Sequence, residues 1–414
     1  MCVRFSLDGK FLASTGGDKM AYLYEMPSGT IVRKISHHDR YVGSCAFSKN
    51  GRFLATGSND KTVAIWKLDS NDSNSTVLSE HPTSSNLELN SDVGNIPSTS
   101  LVENDGYQSS GANEMEMSHW SILAEKDDVS LLSTISLAHT SDINDIVFIS
   151  DQRLVSVSSD KLIKVWSVGA GETHHLLNID SHKYALYSLC TNGKKATVLA
   201  STALDGSIGL WNPGTLEPLK APFKSKSGLG IRVCRASLDG NHLITAGDDD
   251  GASIWNIETG ECEKELFNCG HSATVFMACF ATENGSLAAT GCNDGYLMIW
   301  DVEKENVICS FDEAHDLGIV CGDVRLRSDA EDCPYTILVT GGNDSLIKVW
   351  KIFNNSDRFG KAEFVREMSG HGSTVMSVAF SPKTGKLLAS ASGDKTVRLW
   401  SSDSFRCLRV LEGK

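Results

Sequence analysis

Aspartate, hydroxyl and aromatic side chains recur along this 414-residue chain at one fixed spacing. A serine or threonine stands four residues before each aspartate, and a tryptophan or tyrosine stands six residues after it. The eight copies are Ser14, Asp18 and Tyr24; Thr56, Asp60 and Trp66; Ser156, Asp160 and Trp166; Ser201, Asp205 and Trp211; Thr245, Asp249 and Trp255; Thr290, Asp294 and Trp300; Thr340, Asp344 and Trp350; and Ser390, Asp394 and Trp400. With a nearby histidine, these residue types could form a nucleophilic triad. Because a catalytic set is needed once per site and this one recurs eight times, the spacing predicts a structural role and no catalytic residue.

Each copy lies in a predicted β-hairpin. Short β-branched and apolar runs flank a polar turn, as at 53–56 and 62–66. A further apolar strand precedes each hairpin and another follows it after a polar turn, as at 375–380 and 407–411. Four strands in a unit of about 42 to 50 residues are typical of one propeller blade. The sequence therefore predicts an all-β propeller of about eight four-stranded blades.

The units resemble WD repeats. Gly370-His371 and Gly270-His271 match the opening Gly-His of such repeats, and Ile299-Trp300-Asp301 matches the closing Trp-Asp. The resemblance covers nearly all of the chain outside residues 69–128. It implies a WD-repeat β-propeller and a role in binding other proteins.

In the WD-repeat family, a histidine, a strand hydroxyl, a turn aspartate and a strand tryptophan form a hydrogen-bonded structural tetrad. The resemblance implies one tetrad of His371, Ser390, Asp394 and Trp400 and another of His271, Thr290, Asp294 and Trp300. Compatible histidines for the second, third, fourth and seventh units are His38, His139, His182 and His315. The second and third sets would add Thr56, Asp60 and Trp66, and Ser156, Asp160 and Trp166. The fifth unit has no histidine at this place, and the first begins too late to include one.

One tract interrupts the repeats. Residues 69–118 contain nine Asp or Glu, twelve Ser, seven Asn and no Lys or Arg, a composition typical of a disordered loop. We therefore expect blades 1 and 2 in 1–68, an acidic insert in 69–128, and blades 3 to 8 in 129–414. The insert is either a solvated spacer or a segment that is phosphorylated or binds a partner.

The order of strands predicts self-contained blades. The chain starts on an innermost strand and stops just after an outermost one, so a single ring would close by packing between blades alone. The alternative is a segment of a longer WD-repeat array, with 1–68 ending one propeller and 129–414 beginning another. A single ring is the favoured interpretation.

A weaker resemblance is to the WD-repeat portion of the WD-repeat, SAM and U-box domain-containing proteins. It rests on segments 314–319, 40–42 and 45–47. The Arg-Tyr-Val unit closes the array in that family but is second here. No SAM or U-box segment is apparent, so this resemblance implies no ubiquitin-ligase activity.

Composition narrows the classes of function. A net charge of −14 leaves no general basic field, so we expect no nucleic-acid partner. No stretch has the length of apolar residues that membrane insertion requires. The twelve cysteines are scattered without a C-x-x-C pair, which favours a reducing intracellular compartment, most simply the cytoplasm or else the nucleus, and predicts no metal. No phosphate-binding, hydrolase or metalloprotease motif occurs, so we expect no cofactor and no enzyme.

These observations predict an intracellular scaffold that binds a protein or peptide on one propeller face. The candidate partner-binding residues, where the inner strands begin, are Arg40, Tyr41, Asp142, Tyr184, Arg232 and Asp316. One alternative is a substrate-recognition subunit of a ubiquitin-ligase complex. An alternative of another class is an enzyme with its site in the central channel. That enzyme would need a non-repeating cluster of histidines or carboxylates on inner strands, and none is apparent in the sequence.

Overall fold

The computed structural model describes residues 2–68, 129–169, 172–192, 197–267, 271–327, 335–355, 357–382 and 385–412. The chain divides into one unit of Met1–Ser70 with Glu125–Lys414 and a second of Asn71–Ala124. The predicted acidic insert, residues 69–128, lies outside the described residues, and so does Gly270. The account below concerns the first unit.

The described residues form thirty-two β-strands, β1 to β32, in eight four-stranded antiparallel sheets. Blades 1 and 2 contain β1 (Cys2–Phe5), β2 (Phe11–Thr15), β3 (Met20–Glu25) and β4 (Thr30–Ser36), then β5 (Val42–Phe47), β6 (Phe53–Ser58), β7 (Val63–Leu68) and β8 (Val129–Ile135). Blades 3 and 4 contain β9 (Ile143–Ser150), β10 (Arg153–Ser158), β11 (Ile163–Val168) and β12 (Thr173–Ile179), then β13 (Leu186–Thr191), β14 (Leu199–Ala203), β15 (Ser207–Trp211) and β16 (Phe223–Lys224). Blades 5 and 6 contain β17 (Ile231–Ala236), β18 (His242–Gly247), β19 (Ala252–Asn256) and β20 (Cys262–Leu266), then β21 (Val275–Phe280), β22 (Leu287–Cys292), β23 (Leu297–Asp301) and β24 (Asn306–Phe311). Blades 7 and 8 contain β25 (Ile319–Arg327), β26 (Tyr335–Gly342), β27 (Ile347–Phe353) and β28 (Ala362–Met368), then β29 (Val375–Phe380), β30 (Leu387–Ser392), β31 (Thr396–Ser401) and β32 (Cys407–Glu412).

The predicted all-β propeller with eight four-stranded blades is confirmed. Within the part of the chain that the structure describes, no helix has the length and apolar character needed to cross a membrane. The second strand of each blade is buried on both faces because a neighbouring blade packs on each side. In β6, for example, all six residues are buried. Each blade therefore contributes to two interblade cores.

The second blade is completed by β8, which follows the acidic insert in the chain. β8 pairs antiparallel with β7, and Trp66 lies opposite Leu131. The boundary expected at residue 128 therefore falls inside blade 2, and residues 129–135 belong to blade 2 rather than to blade 3. The insert connects the third and fourth strands of one blade.

Blades 1 and 8 close the ring by side-chain packing. Val3, Leu12 and Tyr24 of blade 1 share a buried cluster with Leu399 and Leu411 of blade 8. Each sheet contains four strands that are consecutive in the chain, so both terminal blades are self-contained. Burial of apolar surface between the two blades supplies the closing contact.

Candidate functional site

The recurring polar residues meet most completely in blade 8. His371 Nδ1 lies 2.9 Å from the carboxylate of Asp394, and its Nε2 lies 2.8 Å from Ser390 Oγ. The indole N–H of Trp400 donates to the same Ser390 Oγ at 2.8 Å. The backbone N–H of Gly372 also donates to Asp394, at 2.9 Å. The four side chains form one chain of donors that ends on the carboxylate.

The local electrostatics hold His371 and Asp394 each in one protonation state. Burial lowers the pKa of His371, so its imidazole is neutral near pH 7. Burial opposes ionisation of Asp394, but hydrogen bonds from Gly372 and His371 outweigh it and lower the pKa of Asp394 to about 2. Ser390 is 0 % exposed and therefore cannot reach a substrate in bulk solvent. The arrangement resembles a catalytic triad in residue types only.

The same geometry recurs in blades 2, 3 and 7. The His Nδ1 to Asp distances are 3.0 Å for His38–Asp60, 2.9 Å for His139–Asp160 and 2.9 Å for His315–Asp344. The His Nε2 to hydroxyl distances are 2.8 Å to Thr56, 2.7 Å to Ser156 and 2.8 Å to Thr340. The indole N–H groups of Trp66, Trp166 and Trp350 donate to these hydroxyls at 3.5, 2.9 and 3.0 Å. Repetition of one buried geometry supports a structural role.

Blades 4, 5 and 1 depart from the complete set of tetrad hydrogen bonds. In blade 4, His182 Nδ1 bonds to Ser207 Oγ at 2.6 Å, and Ser207 in turn donates to Asp205. Blade 5 has no histidine at the tetrad position, and one carboxylate oxygen of Asp249 is buried with no hydrogen-bond partner. Blade 1 instead uses a tyrosine, since the hydroxyl of Tyr22 donates to Asp18 at 3.1 Å.

Blade 6 has all four residue types but not all the contacts. His271 Nε2 bonds to Thr290 at 2.8 Å, and Trp300 donates to Thr290 at 2.8 Å. His271 Nδ1, however, lies 3.9 Å from Asp294 and has no hydrogen-bond partner although it is buried. The sequence pattern therefore does not by itself determine the hydrogen bonds.

Comparisons with known proteins agree with this geometry. The family model described as "WD domain, G-beta repeat" matches residues 1–25, 29–67, 130–167, 260–301 and 362–401. These residues are WD repeats, and the chain folds as a β-propeller. A solved structure of the computationally designed Ika8 protein has a similar fold, with a TM-score of 0.65 and 20% identity over 97% of this chain and 95% of that one.

Several curated WD-repeat relatives are similar in sequence. Protein transport protein sec13 of Aspergillus clavatus is 27% identical over 61% of this chain and 77% of its own length. Nuclear distribution protein PAC1 of Arthroderma otae is 27% identical over 66% of this chain and 62% of its own length. WD repeat, SAM and U-box domain-containing protein 1 of Danio rerio is 29% identical over 68% of this chain and 57% of its own length. More than a third of each of the last two relatives lies outside the match.

The residues that lead into the inner strands form one end of the WD-repeat propeller, which we call the inner-strand rim. Polar contacts join neighbouring blades along it. Asn59 of blade 2 donates to Asp142 of blade 3 at 3.2 Å, and Asn144 of blade 3 donates to the Leu186 carbonyl of blade 4 at 2.6 Å. Thr274 of blade 6 donates to Asp248 of blade 5 at 3.1 Å. These bonds tie blade 2 to blade 3, blade 3 to blade 4 and blade 5 to blade 6.

The six candidate partner-binding residues divide into two groups at this rim. Asp142 is bonded to Asn59, as above. Arg232 donates from Nε and Nη2 to Asp248 at 3.0 and 3.1 Å and stacks over the Tyr187 ring at 5.1 Å. The half-buried ring of Tyr41 lies 3.6 Å from where a Cβ on Gly17 of blade 1 would stand. Asp142, Arg232 and Tyr41 therefore hold blades together.

The other three candidates, Arg40, Tyr184 and Asp316, are exposed. Sequence reasoning missed further exposed apolar residues of the same rim, namely Tyr187, Leu229 and Leu317. Their signal in the sequence was weak because apolar residues next to a strand are normally assigned to the strand itself. Tyr184 is 58% exposed, with Lys161 Nζ of blade 3 6.0 Å from its ring. Tyr184, Tyr187 and Leu229 of blades 4 and 5 are called the Tyr184 patch below.

Two carboxylates that do not recur from blade to blade also lie on inner strands, in different blades. Asp145 of β9 and Asp323 of β25 are such carboxylates. Each accepts a hydrogen bond from the next blade's inner strand, from Leu189 N at 2.9 Å and from Phe380 N at 2.8 Å. Burial raises the pKa of Asp145 to about 6, against the effects of that bond and of Arg4. The two carboxylates therefore join neighbouring blades.

Proposed function

We propose that this WD-repeat propeller is an intracellular scaffold that binds a protein or peptide partner through the Tyr184 patch. The observation that carries the proposal is the exposure of a tyrosine on a rim whose blades are bonded to one another. A rigid platform limits the conformational entropy that is lost on binding. Tyrosine is also enriched among the residues that dominate binding energy at protein interfaces.

The surroundings of Tyr184 suit a peptide segment. Leu229 is 49% exposed and offers apolar area on the neighbouring blade. Arg232 is stacked on Tyr187 and paired with Asp248, so its charge is largely balanced at the surface. Lys161 supplies a cation beside the Tyr184 ring. The patch therefore combines aromatic, aliphatic and cationic groups, which together can hold a segment with an apolar side chain next to an acidic one.

The relatives support the general class of function. Among them are a protein transport protein and a nuclear distribution protein. The ten cysteines within the described ranges are all free thiols, which supports an intracellular location. The partner of this chain is to be found by experiment.

The experiment is affinity purification of the full chain from a cell lysate, followed by mass spectrometry and by measurement of affinity for the recovered partner. Tyr184→Ala is expected to weaken binding by roughly 30-fold, equivalent to about 2 kcal/mol, because an anchor side chain is truncated. The matched control is Leu7→Ala. Leu7 is 56% exposed in the turn after β1, at the opposite end of the inner strand, so its removal should leave the affinity unchanged.

Two results would contradict the proposal. One is equal loss of binding in both variants. The other is retention of the partner by Tyr184→Ala and its loss on deletion of residues 69–118, which would make the acidic insert the binding element. Arg40→Ala and Asp316→Ala, at the other exposed candidates, extend the map around the rim. Tyr41 is a poor test because its ring packs between blades 1 and 2.

A second candidate function is substrate recognition within a ubiquitin-ligase complex. It is favoured by the similarity to the Danio rerio protein whose name includes a U-box. The same purification separates the candidates, since ligase subunits recovered in stoichiometric amounts would support the second. Tyr184→Ala would then be expected to lose the substrate and to retain the ligase subunits.

A further inference from the structure

Blade 6 differs from the other blades in one side chain next to its turn aspartate. Cys292 stands two residues before Asp294, where blades 2, 3 and 8 have Ser58, Ser158 and Ser392. The Cys292 thiol donates to the Ala273 carbonyl at 2.7 Å, as Ser392 donates to the Ser373 carbonyl at 2.8 Å. The thiol therefore occupies the serine position without a change of fold. It brings a metal-binding sulfur next to the tetrad.

Three ligand types converge at this place. A ring nitrogen of His271, Cys292 Sγ and a carboxylate oxygen of Asp294 all lie within 4.8 Å of one another, and His271 Nδ1 is 3.9 Å from Asp294. The His271 side chain is 1% exposed, and its Nδ1 has no hydrogen-bond partner. In blade 8 the corresponding nitrogen of His371 is bonded to Asp394. A buried ring nitrogen without a partner is costly, and its lone pair is available in one tautomer.

We propose that His271, Cys292 and Asp294 bind one divalent cation of intermediate softness, such as Zn²⁺. Sulfur, imidazole nitrogen and carboxylate oxygen are the ligands that Zn²⁺ uses in proteins, with bonds of about 2.0 to 2.3 Å. The three atoms would draw together by roughly 1 Å to reach a tetrahedral arrangement with such bonds. Three protein ligands leave a fourth position for water.

The hydrogen-bond partners that would orient these ligands are already in place. With the metal on Nδ1, the imidazole carries its proton on Nε2 and donates to Thr290 Oγ1, which lies 2.8 Å away. Metal-bound histidines typically donate their other N–H in this way. Asp294 is fixed by the backbone N–H groups of Ser272 at 2.8 Å and Tyr296 at 3.0 Å.

Charge and access also suit a cation. Binding releases the thiol proton of Cys292 to solvent, so a thiolate, a carboxylate and a divalent cation sum to zero charge in a largely buried place. Asp250 adds a further negative charge near His271. The Asp294 side chain is 10% exposed and gives an ion a route from the rim. The sequence-based expectation of no metal rested on scattered cysteines and on the absence of local motifs, and it could not consider residues 271 and 292 together because only the fold makes them neighbours.

The test is titration of the untagged, chelator-treated full chain with Co²⁺. One equivalent should bind and produce a thiolate-to-cobalt charge-transfer absorption. Cys292→Ser should lose both the absorption and stoichiometric binding. Cys262→Ser, which removes an exposed thiol, should retain them. Cys292→Ser is expected to fold, because serine occupies the same position in three other blades, and circular dichroism checks this.

A second readout is the thermal midpoint in the presence of Zn²⁺. The wild type should be stabilised because the ion binds the folded chain, and the folded Cys292→Ser variant should not be. Failure of the wild type to bind one equivalent of Co²⁺ would overturn the proposal. So would equal binding by Cys292→Ser, or loss of the absorption in Cys262→Ser.

Discussion

Blades 8 and 6 contain the same four residue types at the same spacing, yet they form different hydrogen bonds. His371 is bonded to Asp394 at 2.9 Å, whereas His271 is 3.9 Å from Asp294. The residue before the turn is serine in blade 8 and cysteine in blade 6, and the Cys292 thiol lies against the Asp294 carboxylate. The two blades therefore differ both in this neighbour and in whether the aspartate completes the chain of donors. The residue spacing determines which side chains lie near one another, and local packing determines which hydrogen bonds they form.

The largest expected effect separates these two blades. Asp394→Ala should lower the free energy of unfolding by up to about 3 kcal/mol, since His371, Gly372 and Thr396 lose a buried acceptor. Asp294→Ala should cost less, because His271 has no short bond to lose. Urea unfolding of both variants measures the difference. Equal losses would show that the aspartate acts through its backbone contacts alone and that the histidine bond contributes nothing.

The comparison also shows what the sequence could predict. Eight copies of one spacing were enough for the fold, the number of blades and the identity of residues such as Ser390 and Trp400, because repetition averages out local variation. The same pattern did not predict that Ser207 stands between His182 and Asp205, or that Asp294 is out of reach of His271. These outcomes depend on shifts of about 1 Å in side-chain position, which residue spacing does not encode.

The rim shows a second limit of the sequence. Arg232 and Asp142 were candidates because charged groups near a loop are often exposed. Asp142 is bonded to Asn59 of the neighbouring blade, and Arg232 is paired with Asp248 of its own blade and stacked on Tyr187 of the preceding one. Tyr184 met the same criterion and is exposed. Whether such a residue binds a partner or a neighbouring blade depends on what the adjacent blade presents. The residues of the adjacent blade lie about 40 residues away in the sequence, so their contacts are known only once the packing of the blades is known.

A second prediction compares blade 4 with blade 3. Burial lowers the pKa of His182 to about 4, and no carboxylate bonds directly to its ring, whereas His139 bonds to Asp160. The unfolded chain, with a histidine pKa near 6.5, binds the proton more readily. The contribution of His182 is therefore complete above pH 6.5 and is lost as pH falls toward 4. Between pH 6.5 and 5 the loss is about 2 kcal/mol.

The variant His182→Gln isolates this contribution. Its deficit in free energy of unfolding relative to the wild type should shrink by about 2 kcal/mol between pH 6.5 and 5, since the remaining titrating groups are common to both proteins. His139→Gln is the matched variant, and its deficit should change less because Asp160 favours the charged imidazole. A pH-independent deficit for His182→Gln would show that the imidazole is solvated in the folded protein.

The smallest expected effect lies in blade 5, where the aspartate has lost its histidine. Burial raises the pKa of Asp249, and one of its oxygens is buried without a partner while the other accepts from Ser227 at 3.0 Å. A carboxyl group with a raised pKa opposes folding once the unfolded chain ionises, so this cost is present above pH 3.8 and absent below it. Asp249→Asn should remove the charge and keep an oxygen for Ser227, which gives a gain of about 1 kcal/mol or less at pH 7 and none near pH 3. Chemical denaturation at the two pH values measures it. A loss of stability at pH 7 comparable to that of Asp394→Ala would contradict this prediction. The turn aspartate would then contribute equally to the free energy of unfolding with or without a histidine, and complete and incomplete tetrads would not differ in stability.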